Sequence, residues 1–132
     1  MIGGLLKTQN NAHANFETLI GKNTRVQGNV KFTGGLHLDG VIEGDVSVED
    51  NKAGSLSISE HGYVKGKVNV TVLMLNGKID GDVIVKERVS LAANARVNGN
   101  LHYKLIEMSV GASVNGQLTH HDKPHREAIT KL

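Results

Sequence analysis

The chain has 132 residues, which suits one domain with a real core and is too short for two. Its 15 basic and 13 acidic residues nearly balance and only four residues are aromatic, which excludes the basic, aromatic surfaces typical of nucleic-acid binding. Cysteine is absent, which excludes a disulfide framework, thiolate zinc sites and thiol chemistry and suits a reducing compartment.

The N-terminal segment, residues 1–15, is polar and turn-like after an apolar start, and we predict a flexible tail. Its opening residues are Met1, Ile2, Leu5, Leu6 and Lys7. They suit a weak membrane anchor, because the apolar side chains can enter the interface while the lysine meets anionic headgroups. The alternative is an ordinary flexible start that binds nothing. With no signal pattern and no long apolar run, we expect a cytoplasmic protein, at most peripheral on the inner membrane.

From residue 16 onwards, the chain repeats the pattern apolar-x-Gly-x-apolar six times. The copies are centred on Gly28, Gly44, Gly66, Gly81, Gly99 and Gly116, at intervals of 16, 22, 15, 18 and 17 residues. Apolar residues alternate with polar ones in each copy, which is the period of a β-strand. A second apolar-x-apolar pair precedes most copies, as in Leu36/Leu38 and Leu73/Leu75.

Short strands that repeat in this way, with glycine or asparagine at the corners, predict one coil of a β-helix per repeat. We therefore predict an all-β fold, a single-stranded β-helix solenoid of about six coils, over residues 16–120. Each glycine marks a corner that needs positive φ or close backbone approach. The 22-residue interval contains a polar stretch, residues 49–54, which predicts a loop that bulges from one coil. The alternative, an antiparallel sandwich, does not require glycine in the same slot six times.

Stacked coils lie about 4.8 Å apart, so equivalent residues form columns along the outside of the solenoid. The slot before each glycine reads Gln27, Glu43, Lys65, Asp80, Asn98, Asn115, and the slot after it reads Asn29, Asp45, Lys67, Asp82, Asn100, Gln117. Lysine separates the acids in both columns, which predicts that opposite charges fix the register of the coils. Amides at both column ends allow another copy to stack without a charge clash.

Histidines are the first candidates for chemistry, and seven are spread over the chain. His120 and His121 point to opposite faces of an extended strand, so with Asp122 and His125 they make at most a weak metal site in the tail. A solvated polar tail is the simpler interpretation. No metalloprotease, nucleophile-elbow, phosphate-loop or calcium-loop motif occurs, and lysines interrupt the columns of acids. We therefore predict no catalytic, cofactor or metal site.

The enzyme alternative is an acyltransferase with a left-handed β-helix of hexapeptide repeats. Apolar residues do recur at intervals of six at Ile20, Val26 and Phe32, and a catalytic histidine, His37 or His102, would then lie between coils. Spacings of four residues, from Leu38 to Ile42 and from Leu75 to Ile79, break this pattern twice. The acceptor loop and terminal helical region of that family are also missing.

Both ends of such a solenoid are layers of strand edges with unpaired N–H and C=O groups. The residues before Phe16 show no amphipathic period that would make a cap, and residues 121–132 are predicted to be a flexible tail. The alternative is that Ala128, Ile129 and Leu132 cover one end as a partial cap. We predict end-to-end polymer contacts through apolar residues of the terminal coils: Phe16, Leu19 and Ile20 at one end, and Ile106, Met108, Val110 and Leu118 at the other.

The six copies, flanked by short polar tails, resemble the bactofilins, bacterial polymer-forming cytoskeletal proteins, over about residues 16–120. This resemblance implies a right-handed β-helix of triangular section and a scaffold that forms filaments without nucleotide. It also implies attachment to the inner face of the membrane and partners among cell-wall-modifying enzymes or factors of cell shape and polarity.

Overall fold

The computed structural model describes residues 17–121, which contain strands and turns and no helix. Every strand pairing in this part of the chain is parallel. The strands in chain order are β1 (Thr18–Ile20), β2 (Arg25–Gln27), β3 (Val30–Phe32), β4 (Gly34–Leu38), β5 (Val41–Glu43), β6 (Val46–Val48), β7 (Gly54–Ile58), β8 (Tyr63–Lys65), β9 (Val68–Leu75), β10 (Lys78–Asp80), β11 (Val83–Leu91), β12 (Arg96–Asn98), β13 (Leu101–Tyr103), β14 (Leu105–Met108), β15 (Ser113–Asn115) and β16 (Leu118–His120).

These strands form a β-solenoid of six coils, each with three strand segments, as predicted. The first face stacks β1, β4, β7, the second halves of β9 and β11, and β14. The second face stacks β2, β5, β8, β10, β12 and β15. The third face stacks β3, β6, the first halves of β9 and β11, β13 and β16. The third face joins the first because β9 and β11 each continue around a corner.

The register is the one that the repeated motif predicts. On the second face Val26, Ile42, Val64, Ile79, Val97 and Val114 stack in one column. Leu36, Leu56, Leu73 and Val89 form a column on the first face, and all four are fully buried. Each buried side chain of this size stabilises the fold by about 1.5–3 kcal/mol relative to exposure. The hydrophobic core is therefore a continuous line along the solenoid axis.

The corner glycines confirm the prediction of close backbone approach. Gly44, Gly66, Gly81 and Gly99 have φ between 153° and 157°. A Cβ atom at any of them would lie 2.1–2.2 Å from the carbonyl oxygen of the corner glycine one coil earlier. No other residue fits such a space, so glycine recurs in this slot because the coils touch there.

The predicted loop lies between β6 and β7, over residues 49–53, and Gly54 already belongs to β7. Asn51 adopts a φ of 60° in this loop, and the Lys52 N–H donates a hydrogen bond to the Glu49 carbonyl. The chain rejoins the solenoid in register, because the Gly54 N–H donates to Oγ1 of the buried Thr71 at 3.1 Å. The longest interval of the repeat is thus a local excursion that leaves the stacking intact.

The polar side chains of the outer columns do not form the predicted ion pairs within each column. Glu43, Lys65 and Asp80 are neighbours in register, but the ion pairs that involve these acids come from the adjacent column, Arg25 with Glu43 at 3.4 Å and Lys78 with Asp80 at 3.9 Å.

In the column after the glycine, Asp45 Oδ1 accepts a hydrogen bond from the backbone N–H of Lys67, and Asp82 Oδ1 accepts one from Asn100 N–H. Carboxylates and amides therefore bind the backbone of the next coil at this corner, and charge pairing has a smaller part in the register than the sequence suggested.

Candidate polymer interface

The strand edges at both ends of the solenoid have a paired neighbour on one side only, within residues 17–121. At the N-terminal end β1, β2 and β3 pair with β4, β5 and β6. At the C-terminal end β14, β15 and β16 pair with β11, β12 and β13. Each end therefore offers three short edges to another strand-forming chain.

The C-terminal end is apolar. Val110 is 96% exposed, Met108 and Leu118 are also exposed, and Ile106 is half-buried against the core. These are the four residues predicted for this end. The coil from Leu105 to His120 contains one residue of the Asp, Glu, Lys and Arg types, Glu107. The desolvation cost of covering this end is therefore small.

The sequence prediction missed one residue of this end, Leu105, which is 54% exposed. Leu105 pairs with Arg88 in an outward column, whereas its neighbour Ile106 pairs with Val89 in an inward one. Strand alternation could have revealed it, because of two adjacent apolar residues in a strand one must face outward. Leu105 extends the apolar surface from the end of the solenoid onto its first face.

The N-terminal end is more polar. Of the residues predicted there, Leu19 is 66% exposed on the outside of β1, and Ile20 packs partly against the core. The coil from Glu17 to Phe32 contains four charged residues, Glu17, Lys22, Arg25 and Lys31. Phe16, the third residue predicted for this end, lies outside the described residues. Covering the N-terminal end with another chain therefore costs more desolvation free energy than covering the C-terminal end.

The sequence of these stacked coils matches a known protein family. The model of a family described as "Bactofilin: Polymer-forming cytoskeletal" matches residues 18–119. The chain belongs to the bactofilin family. Bactofilin BacO of Myxococcus xanthus (strain DK1622) is 24% identical to it over 101 residues, which are 76% of this chain and 77% of that protein. No solved structure matches the chain.

Family membership makes this bactofilin a polymer-forming cytoskeletal protein. The residues proposed as a membrane anchor, Met1, Ile2, Leu5, Leu6 and Lys7, lie outside the part of the chain that the structure describes, as do Asp122 and His125. Between residues 17 and 121, no helix is long and apolar enough to cross a bilayer. The same residues contain no group of three or more His, Asp or Glu side chains that could hold a metal ion.

Of the two histidines considered for acyl transfer, His37 lies in a hydrogen-bonded chain on the first face of the bactofilin. Its Nδ1 is 3.2 Å from Ser57 Oγ, and its Nε2 is 3.1 Å from Asp39 Oδ1. Hydrogen bonds from Ser59 and His37 lower the pKa of Asp39. Ser57 pairs in register with His37 on one side and with Met74 on the other. The hydrogen bonds among Asp39, His37 and Ser57 link two neighbouring coils.

The second histidine, His102, lies half-buried on the third face beside Ile84, with which it pairs in register. It shares a shallow groove with Ile84, Lys86 and His121. His121 contacts the Val85 carbonyl oxygen through Nε2 at 3.1 Å, two coils earlier. His37 and His102 lie on different faces, so the structure does not bring the two histidines together.

Proposed function

We propose that this bactofilin is a cytoskeletal scaffold that assembles end to end into filaments without nucleotide. The apolar C-terminal end supports this proposal most strongly, because it combines three strand edges with the exposed side chains of Leu105, Met108, Val110 and Leu118. Covering such a surface removes apolar area from water at about 25 cal/mol per Å² and pairs free backbone groups. The less apolar N-terminal end, with Leu19, Ile20 and Phe16, forms the second contact.

The scaffold works at the inner membrane in this proposal. Residues Met1, Ile2, Leu5, Leu6 and Lys7 anchor it, and each copy binds weakly while the filament binds by avidity. Cell-wall-modifying enzymes or factors of cell shape and polarity are the partners that it positions. The family description, polymer-forming and cytoskeletal, supports a scaffold. The choice of partners rests on the resemblance to the bactofilins alone.

The assembly test places a charge at each end. We expect Met108→Lys and Ile20→Arg to give short species that retain the β-sheet signal in circular dichroism. The reason is that a contact would have to desolvate the new charge, whereas a free end leaves it in water. Electron microscopy and sedimentation of the purified protein without added nucleotide measure the filament length.

The matched control is Met74→Lys, because Met74 is also an exposed methionine but lies in the middle of the first face. We expect it to form filaments of wild-type length. Long filaments of both end variants, together with short species of Met74→Lys, would show that the contact lies along the side. Compact trimers with acyl-coenzyme turnover would instead support the acyltransferase alternative.

A further inference from the structure

Three Asn-Gly pairs occur in the chain: Asn76–Gly77, Asn98–Gly99 and Asn115–Gly116. In such a pair the glycine nitrogen can attack the side-chain amide carbon of the asparagine, since glycine has no side chain to obstruct it. A bond forms between that nitrogen and carbon, the nitrogen loses its proton, and the amide group leaves as ammonia. Water then opens the resulting succinimide to aspartate or isoaspartate. The net reaction hydrolyses one amide to a carboxylate and ammonia.

Hydrogen bonds hold both reacting groups of Asn98–Gly99. The Gly99 N–H donates to the Asn115 carbonyl at 3.1 Å. The side-chain amide of Asn98 donates to Asp80 Oδ1 at 2.7 Å. Both bonds must break before the ring can close, so the reaction requires local opening of the solenoid.

Packing holds Asn76–Gly77 in the middle of the solenoid. Asn76 Oδ1 accepts a hydrogen bond from the Asn94 N–H at 3.1 Å. Gly77 is buried, and a Cβ atom on it would lie 2.4 Å from the carbonyl oxygens of Gly62 and Ser59. Ring closure would have to break the hydrogen bond from Asn94 at this buried corner, so it also requires local opening.

Asn115–Gly116 lies exposed in the last coil of residues 17–121. Gly116 packs on Gly99 as closely as the other corner glycines do on theirs, but its N–H lacks the hydrogen bond that they make. In the other five copies of the motif the corner glycine N–H donates to a carbonyl of the next coil, as Gly81 does to Asn98. The Gly116 N–H has no such acceptor among residues 17–121. Within the described part of the chain, the exposed side chain of Asn115 makes one long hydrogen bond, from Nδ2 to Asn98 Oδ1 at 3.4 Å.

We propose that Asn115 is a site of spontaneous deamidation at the free C-terminal end, and that a second copy stacked on this end protects it. The protection rests on the proposed end-to-end assembly, whereas the reactivity of the free end does not. Deamidation adds a carboxylate to a coil whose one other charged residue is Glu107. Isoaspartate also lengthens the backbone of β15 next to the Gly116 corner. An end that remains uncovered thereby loses its ability to stack.

The test compares wild-type filaments with the short species of Met108→Lys during incubation at neutral pH. Trypsin cleaves at Lys104 and so separates the fragment with Asn98 from the fragment with Asn115. Mass spectrometry and an isoaspartate-specific methyltransferase then measure each conversion. In the short species we expect Asn115 to convert at least about tenfold faster than Asn98, because Asn98 reacts only after local opening, and filaments to slow Asn115 to a similar degree.

Equal conversion of Asn115 and Asn98 in the short species would overturn the assignment of the site. Equal conversion of Asn115 in filaments and short species would overturn its protection by stacking. If the wild type forms no filaments at all, the proposed function and this protection both fail, while the comparison of Asn115 with Asn98 still tests the site.

Two variants of Asn115 test the consequence for assembly. Asn115→Gln is the control, because Gln27 already occupies the same column and glutamine closes a ring far more slowly. We expect Asn115→Gln to remain competent for filament growth after an incubation in which wild-type ends lose this ability. Asn115→Asp should form shorter filaments from the start. Filaments of wild-type length from aged wild-type ends and from Asn115→Asp would overturn this consequence.

Discussion

The corner glycines set the closest approach between coils, and Gly66 gives a direct test of that role. A Cβ atom there would lie 2.2 Å from the Gly44 carbonyl oxygen. We expect Gly66→Ala to lower the free energy of unfolding by about 3 kcal/mol or more, because backbone strain and the clash add. The control is Gly28→Ala, which has a φ of 131° but no atom within 4 Å of the new Cβ. Thermal unfolding followed by circular dichroism measures both, and equal losses would contradict a role of the contact.

The Tyr63 hydroxyl donates a hydrogen bond to Asp80 Oδ2, and this bond predicts a pH dependence of stability. Hydrogen bonds from Tyr63 and Asn98 lower the pKa of Asp80 below 3.8, and the carboxylate raises the pKa of Tyr63 above 10.0. The stabilisation from Asp80 is therefore complete above its unfolded pKa and is lost as pH falls through the lowered value. That from Tyr63 is complete below its unfolded pKa and is lost as pH rises through the raised value.

Tyr63→Phe removes this bond without changing the packing of the ring. We expect it to cost about 1 kcal/mol of unfolding free energy at neutral pH. The difference from wild type should shrink in acid, as the pH falls through the lowered pKa of Asp80 and the carboxylate is protonated. Urea unfolding at the two pH values measures it, and an undiminished difference in acid would exclude the Asp80 carboxylate as the partner.

The position and contacts of a single residue could be predicted where its column repeats one residue type. They were harder to predict in columns that contain both acidic and basic residues. The glycine slot and the inward valines follow directly from the repeated motif. The backbone hydrogen bond that Asp45 Oδ1 accepts from Lys67 did not, because the sequence shows a carboxylate beside a lysine and does not show which polar atom lies nearer. Leu105 was missed although strand alternation indicates it, because Ile106 next to it takes the inward position and pairs with Val89.

Individual strands follow from alternation, and β11 allows this to be tested on two adjacent residues. Val83 is fully buried between Val68 and Leu101, whereas Ile84 faces outward. We expect Val83→Asp to unfold the domain, because an unpaired buried carboxylate costs several kcal/mol, about the whole stability of a small domain. Ile84→Asp should leave the circular dichroism spectrum and melting profile of a folded β protein. A folded Val83→Asp would show that this column does not face the core.

The strand boundaries were less predictable than the strands. The repeat predicts a break at each corner, but β9 and β11 continue around one. In β9 the corner residue is the buried Thr71, which is a good strand former, and it binds the N–H of Gly54 in the coil before. A corner without glycine or proline gives no sequence signal that separates it from the middle of a strand.

For the whole molecule, the number of coils could be predicted because one motif copy marks each coil. Right-handedness stays a prediction, since it follows from the resemblance to the bactofilins and the repeat alone does not give the hand of the coil. The difference between the two ends was not predicted either. Both terminal coils contain apolar residues, and the contrast depends on the four charges of the first coil and the single charge of the last.

The proposed membrane anchor is a property of the polymer as a whole and is tested as such. We expect anionic liposomes to increase the sedimentation of the full chain, and a version without residues 1–7 to sediment no more with liposomes than without them. The short species of Met108→Lys should bind far less than filaments, because linking many weak anchors raises avidity by about 10²–10⁴. If the truncated chain sediments as well as the full one, these residues do not anchor the protein.

The loop of residues 49–53 projects from each subunit at one fixed position along the solenoid axis. It leaves the solenoid between β6 and β7, and Gly54 returns the chain to register, so the loop interrupts no stacked column. In a filament built end to end, this polar loop recurs once per subunit at a regular spacing along the filament axis. A small label inserted beside Asn51 would mark the position and orientation of every subunit. The spacing of such labels would reveal whether successive subunits point the same way or alternate.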